Sequence, residues 1–148
     1  MPDGLNGVAV VEYSTDGTTW VDIMDYVGAV RVAGGELQDG EFHVFGQEYP
    51  VVTIGKFSAY QITMRMLYTD TAADPFRTLR GRYAAKSKTY FRWAYTKATS
   101  PATTHLYEVY GYITSFPVPE ADGQSADPIG ADLLVRADTI TEEDVALT

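Results

Sequence analysis

Residues 57–69 impose the strongest constraint on the fold, because their side chains alternate between apolar and polar character. One set of alternate positions is aromatic or aliphatic: Tyr60, Ile62, Met64, Met66 and Tyr68. The positions between them include Gln61, Thr63, Arg65 and Thr69. Since successive side chains of a β-strand point to opposite faces, this period of two predicts a strand with one buried and one mostly polar face.

Strand and turn signals recur along the rest of the chain. The further predicted strands, rich in β-branched and aromatic side chains, are residues 7–13, 19–23, 27–33, 88–96, 105–116 and 131–140. Many antiparallel strands with a single helix are typical of a sandwich with a helix packed against it. We therefore expect a mainly β (α+β) fold, an antiparallel β-sandwich with one flanking α-helix and a long extended loop.

The single helix is predicted over residues 74–85. Asp74 suits the N-cap, and Pro75 suits the first helical position, where its missing N–H costs nothing. The apolar stripe of this helix consists of Phe76, Leu79 and Tyr83. This spacing predicts a helix that packs one face on the sheet.

Two other segments complete the predicted organisation of a single domain over residues 1–148. Residues 34–55 contain repeated glycines and short apolar pieces without a sustained period. Since long unstructured connections are uncommon inside compact domains and are usually functional or wrongly assigned, we interpret this segment as an extended arm or a loose hairpin. Residues 141–148, which contain three acidic side chains, are expected to form a mobile tail.

The composition argues against most kinds of chemistry. The chain has no cysteine and only two histidines, His43 and His105, which excludes disulfides and thiolate metal sites. No nucleophile elbow, phosphate-binding loop or EF-hand spacing is present, and His105 is interpreted as a structural residue on a strand. We expect no catalytic, cofactor-binding or metal site. We also expect no secretory signal and no membrane insertion.

Charge is distributed in three blocks. Residues 1–74 carry a net charge of −8, residues 75–107 carry +7 with no acidic side chain, and residues 108–148 carry −8. Three interpretations are open: neutralisation within the folded monomer, a head-to-tail contact between copies, or nucleic-acid binding by the basic helix. The last is the weakest, since the whole chain carries −9 and its global field repels nucleic acid.

Trp20 follows a predicted Asp16-Gly17 hairpin turn. We interpret Trp20 as a core residue. The alternative is an exposed ring that stacks on sugar, as in extracellular sandwich modules.

Landmarks along nearly the whole chain resemble the major tail tube proteins of long, non-contractile-tailed (siphovirus-type) bacteriophages. In order, they are YSTDGTTW (residues 13–20), DYV (25–27), GGE (34–36), GE (40–41), Gly46, YPVVTIGK (49–56), YTD (68–70), DPF (74–76), RW (92–93) and GYITS (111–115). Each motif is short, and the resemblance lies in their order and spacing.

The resemblance implies a structural virion protein and no enzymatic activity. Proteins of this family form hexameric rings that stack into a tail tube, through which the genome is ejected into the host. The implied partners are identical copies, other tail proteins (tape measure, tail terminator and distal tail) and DNA that passes without sequence-specific binding. The implied location is the virion tail, after assembly in the host cytoplasm.

The resemblance also suggests site residues. The candidates for subunit contacts are Glu36, Phe42, Phe45, Tyr49 and Val51 of the arm, together with Arg77 and Arg80 of the helix. The candidates for a channel-lining face are Gln61, Thr63 and Arg65. Two alternatives stay open, a carbohydrate- or protein-binding sandwich module and another tail component such as a tail terminator.

Overall fold

The computed structural model describes residues 7–71, 73–96, 103–119, 123 and 128–146. In these residues, nine strands and one α-helix follow in chain order, with a short 3-10 turn at Met24–Tyr26. The elements are β1 Gly7–Ser14, β2 Val21–Asp22, β3 Val27–Gly34, β4 Leu37–Phe42, β5 Val51–Phe57, β6 Tyr60–Leu67, α1 Pro75–Ala84, β7 Lys88–Thr96, β8 Thr103–Ser115 and β9 Gly130–Ala146.

Seven strands form one antiparallel sheet in the order β2-β1-β7-β8-β9-β6-β3, and β4 and β5 form a separate two-stranded sheet. The large sheet curls so that its two halves enclose a common core. Val11 and Phe91 from one half lie in the same buried cluster as Ile62 and Leu133 from the other. The predicted mainly β antiparallel fold with one helix is confirmed.

Strand β6 has the predicted alternation. Ile62, Met64 and Met66 are fully buried, whereas Arg65 on the opposite face is exposed. The strand is shorter than the predicted range 57–69. Phe57 is the last residue of β5, and β6 begins at Tyr60 and ends at Leu67.

Helix α1 lies beside β8 and supplies Phe76 and Leu79 to the core. Pro75 occupies the first helical position, as predicted. Asp74 is the N-cap residue, but its side chain makes no capping hydrogen bond within the described residues; its backbone oxygen accepts the Thr78 N–H at 3.3 Å. The helix is therefore held mainly by its buried face.

The expectation of a mobile tail from residue 141 is wrong for residues 141–146. These residues continue β9 and pair with the first part of β8, which begins earlier than predicted. Across the two strands, His105 Nδ1 lies 2.7 Å from Asp144 Oδ1. Residues 147–148 lie outside the described part of the chain.

Candidate functional site

The segment expected to be an extended arm or a loose hairpin forms a hairpin. Strands β4 and β5 pair antiparallel, with Phe42 opposite Val51, and residues 43–50 connect them as the tip. Within the described residues, β4 and β5 pair only with each other. A two-stranded ribbon is marginally stable in water by itself, so this hairpin is a segment that a partner would stabilise.

Two consecutive glycines direct the chain out of the sheet and into the hairpin. Gly34 and Gly35 have φ values of +82° and +72°, in the left-handed region that favours glycine. A Cβ on Gly34 would lie 2.2 Å from the Ala59 carbonyl oxygen, and one on Gly35 would lie 2.1 Å from the Tyr60 ring. The Gly34-Gly35 pair thus permits both the turn and the close approach to β6.

The base of the hairpin is closed by hydrogen bonds between its two ends. The Ser58 N–H donates to the Glu36 carbonyl at 2.8 Å, and the Glu36 N–H donates to Ser58 Oγ at 3.0 Å. Glu36 therefore has a structural position at the base, and its carboxylate is exposed.

The hairpin exposes a large amount of apolar surface. Phe42 is 69% exposed, Tyr49 is 77% exposed and Phe45 is fully exposed. The other exposed apolar side chains of the hairpin are Leu37, Val51, Val52, Ile54 and Phe57. No hairpin residue belongs to the buried core of the described chain. Large exposed apolar surfaces often mark interaction sites, so the hairpin is a candidate for one.

Both faces of the ribbon carry apolar side chains. Phe42 and Val51 are paired on one face, whereas Val52 and Ile54 point to the other by alternation. All four are exposed. The ribbon therefore has no buried face in the monomer, which distinguishes it from an ordinary surface hairpin.

A groove lies beside α1, and we call it the helix groove. It has a volume of about 520 Å³. Its lining residues are Tyr68, Asp70, Phe76, Arg77, Arg80, Val118, Pro119 and Ile129. The volume is within the range of about 300–1,000 Å³ typical of ligand pockets.

The two arginines of the helix groove contact backbone oxygens. Arg77 Nη1 donates to the Asp70 carbonyl at 3.4 Å, and Arg80 Nη1 donates to the Phe116 carbonyl. Neither guanidinium forms an ion pair with a carboxylate of the described residues. The groove therefore combines positive charge with the exposed Val118 side chain.

The polar side of β6 lies on the outward face of the sheet. Thr63 and Arg65 line a shallow depression of about 360 Å³ with Ala29, Arg31 and Asp132. Arg65 Nη1 is 3.4 Å from Asp132 Oδ1, and Arg136 donates to Gln61 Oε1 at 3.5 Å. The carboxylate of Asp132 thus offsets the charge of Arg65, although both side chains are about half exposed and the pair is worth little.

An aromatic band crosses the same face of the sheet. Tyr90 and Tyr110 stack with ring centroids 4.1 Å apart, and Lys88 Nζ lies over the rings of Tyr110 and Tyr112 at 5.1 and 5.3 Å. Tyr112 is 49% exposed. The chain contains 11 tyrosines, but their pairing across strands was not predicted.

The interpretation of Trp20 as a core residue is wrong. Trp20 is half-buried and lies outside the core, where the Arg92 guanidinium covers its ring at 4.0 Å. Arg92 also pairs with Glu12 at 3.0 Å. Since Arg92 occupies one ring face, Trp20 does not offer the fully open platform expected for a sugar-binding ring.

Among the residues that the structure describes, three titratable groups have shifted pKa values. Hydrogen bonds from the Thr19 and Thr18 N–H groups hold the pKa of the Asp16 carboxyl well below its usual range. Hydrogen bonding to Asp144, and next to Glu142, raises the pKa of His105. Burial, and then repulsion from Glu143, raises the pKa of Glu108.

In the described part of the chain, no group of three or more His, Cys, Asp or Glu side chains could hold a metal ion. No described helix is long and apolar enough to cross a membrane.

The candidate residues fall on three surfaces. Glu36, Phe42, Phe45, Tyr49 and Val51 lie on the hairpin. Arg77 and Arg80 lie together in the helix groove. Gln61, Thr63 and Arg65 lie on the outward face of β6. Val118 and Ile129 of the groove were not predicted, because the turn-rich segments that carry them have no periodic pattern.

Comparison with known proteins gives a result at the level of structure. No protein-family model and no curated protein matches the sequence. A chain in the six-fold symmetrised cryo-EM structure of the anti-feeding prophage (AFP) baseplate has a TM-score of 0.70 at 10% identity, over 97% of this chain and 96% of that chain.

Chains of an extracellular contractile injection system (PVC) have similar folds. One from its sheath–tube complex gives a TM-score of 0.64 at 16% identity, covering 92% of this chain and 89% of that chain. One from its sheath/tube terminator gives 0.63 at 17% identity, with coverage of 90% and 93%. The non-contractile tail type suggested by the sequence stays a prediction, since these particles are contractile. The chain therefore has a fold found in components of phage-tail-like injection particles.

Proposed function

We propose that this chain is a structural subunit of a phage-tail-like tube, in which identical copies form hexameric rings that stack. The observation that carries the proposal is the hairpin, which exposes apolar side chains on both faces and contributes none to the core. The fold similarity, which extends over nearly the whole chain and includes a chain from a six-fold symmetrised assembly, supports the same role.

In this proposal, the hairpin and the helix groove are contacts between subunits. Phe42, Phe45 and Tyr49 provide the apolar part of the contact, since large aromatic side chains dominate the energetics of interfaces. Arg77 and Arg80 contribute on the groove side. Residues 1–148 act as one domain, with residues 34–55 as its interaction arm.

The outward face of β6 is proposed to line the channel. DNA carries about one negative charge per ~1.7 Å of its axis, and a strongly basic wall would hold it by counterion release. On this face Gln61 and Thr63 are neutral and Asp132 lies beside Arg65, while Arg31 and Arg136 add positive charge. In this proposal the mixed lining lets DNA pass without sequence-specific binding, and the genome is ejected through the tube.

The proposed role is non-enzymatic and places the protein in the tail of a virion or a related particle. Its other partners would be the tail proteins at the ends and interior of the tube, namely the tail terminator, the distal tail protein and the tape measure. Assembly would take place in the host cytoplasm.

A tail terminator is the second candidate, and the similarity to a chain of the PVC sheath/tube terminator favours it. Such a protein would close a tube rather than extend it. The two roles differ in the product of self-assembly, because a tube subunit stacks its rings and a terminator stops at a single ring.

Electron microscopy of the purified chain over a range of concentrations tests the proposal. Stacked six-fold rings or tubes are the expected result, and single rings that never stack would favour the terminator. A chain that stays monomeric at high concentration would contradict both roles. Binding to an immobilised glycan panel by that monomer would instead favour a carbohydrate-binding module.

A further inference from the structure

The tip of the hairpin and the helix groove complement each other. We propose that the helix groove of one copy receives the hairpin tip, residues 43–50, of a second copy. This inference rests on the proposed self-assembly and deepens it, because it names the two surfaces that meet.

The hairpin supplies a projecting apolar and acidic element. Phe45 is fully exposed at the tip and Tyr49 is 77% exposed. The segment from residue 36 to residue 57 contains four acidic side chains and one basic side chain. Glu48, next to Tyr49, is an exposed carboxylate of the tip itself.

The helix groove supplies the opposite properties. Tyr68, Phe76 and Val118 give it apolar walls, and Arg77 is exposed at its margin. Arg77 contacts only a backbone oxygen among the described residues, at the long distance of 3.4 Å. An arginine in this position can take a carboxylate in a bidentate pair, and Glu48 is the carboxylate that enters with the tip.

Two other surfaces suit the hairpin less well. The outward face around Arg65 is polar, and Asp132 already lies beside that arginine. The aromatic band is apolar, but its Lys88 ammonium already lies over two tyrosine rings. The helix groove has apolar walls and two arginines against one carboxylate, that of Asp70, and neither arginine forms an ion pair within the described residues. This combination matches an aromatic tip with a neighbouring acid.

Cysteine cross-linking tests the contact directly, because the natural chain contains no cysteine. Gln47→Cys places a thiol on the tip, and Val118→Cys places one in the groove. When the two single variants carry tags of different size and are mixed under oxidising conditions, we expect a heterodimer. Gln47→Cys mixed with Tyr112→Cys is the matched control, since Tyr112 lies on the aromatic band.

The double variant distinguishes contacts between chains from contacts within one chain. Gln47→Cys with Val118→Cys in one chain should give a ladder of cross-linked multimers on a denaturing gel. A purely intramolecular disulfide would overturn the proposal, since the tip would then occupy its own groove. Preferential cross-linking to Tyr112→Cys would overturn it in favour of the aromatic band.

Charge reversal tests the proposed pair. We expect Arg77→Glu or Glu48→Arg alone to raise the concentration needed for assembly about tenfold or more, and the double variant to recover most of that loss. Lys86→Glu, the same charge change at an exposed site beyond α1, is the control and should have little effect.

The outcomes separate this inference from the proposed function. If the natural chain assembles but neither cross-linking nor charge reversal identifies the groove, this contact is wrong and the tube role stands. If the natural chain does not associate at any concentration, both are wrong.

Discussion

Replacing Phe42 by alanine separates the stability of the monomer from the stability of the assembly. In the monomer the side chain is 69% exposed and lies outside the core. Surface substitutions of this kind usually change the free energy of unfolding by less than about 0.5 kcal/mol. For a chain of this size, we expect the melting temperature to shift by no more than about 2 °C.

The expected effect on assembly is larger. Complete burial of a phenylalanine side chain is worth about 1.5–3 kcal/mol, and roughly two-thirds of this side chain is still available for burial by a partner. Loss of the contact should therefore cost about 1–2 kcal/mol per subunit added. This corresponds to a rise of about 5- to 30-fold in the critical concentration for assembly.

Thermal unfolding and sedimentation of the same preparations measure the two quantities. Tyr112→Ala is the matched control, because it removes another exposed aromatic side chain from a surface that is not expected to join subunits. An unchanged critical concentration for Phe42→Ala would refute the interface assignment. A large fall in melting temperature would show that Phe42 already packs within the monomer.

Three further substitutions test local features of the fold. Folding raises the pKa of His105, so the protonated side chain stabilises the folded chain. This stabilisation should be complete below the ordinary pKa of 6.5 and should disappear as the pH rises through the raised value. In urea unfolding, the His105→Gln variant should lack this pH dependence. Gly35→Ala should destabilise the folded chain by more than about 1 kcal/mol in the same assay, because the φ of Gly35 is positive and an added Cβ would strike the Tyr60 ring. Gly46→Ala is the control and should have little effect, because no atom lies near the added Cβ. Asp16→Ala should lower the free energy of unfolding at neutral pH. As the pH falls through the lowered pKa of Asp16, the carboxylate of the natural chain is protonated and its hydrogen bonds are lost. The difference in stability between the two proteins should therefore shrink in acid.

Local patterns predicted the elements that bury one face. The alternation around Met64 identified β6, and Pro75 followed by Phe76 identified α1. In both cases the contacts that stabilise the element require an apolar side chain at each repeat of its period. The residues of each element are therefore enough to predict whether it is a strand or a helix.

The features that depend on long-range pairing were not predicted in the same way. Residues 141–146 have an acidic run that resembles a solvated tail, and only the matching strand β8 shows that they continue a strand. The local sequence around Trp20 is typical of a core residue. The contact between Arg92 and the Trp20 ring joins residues far apart in the chain, so it was not predicted. The helix groove joins residues of the range 68–80 to Val118, Pro119 and Ile129, which are distant in sequence, so no local pattern contains it.

The proposed pairing of the hairpin with the helix groove has a consequence for symmetry. The two surfaces are different, so in a head-to-tail contact each added copy brings both a new hairpin and a new groove. Such contacts close into rings when the rotation between copies permits and otherwise continue as filaments. An isologous dimer would satisfy both surfaces at once and stop growth. A chain that presents an acidic apolar arm and a separate basic groove is therefore suited to a repeating assembly, in which subunits join through opposite charges although each carries a net charge of −9.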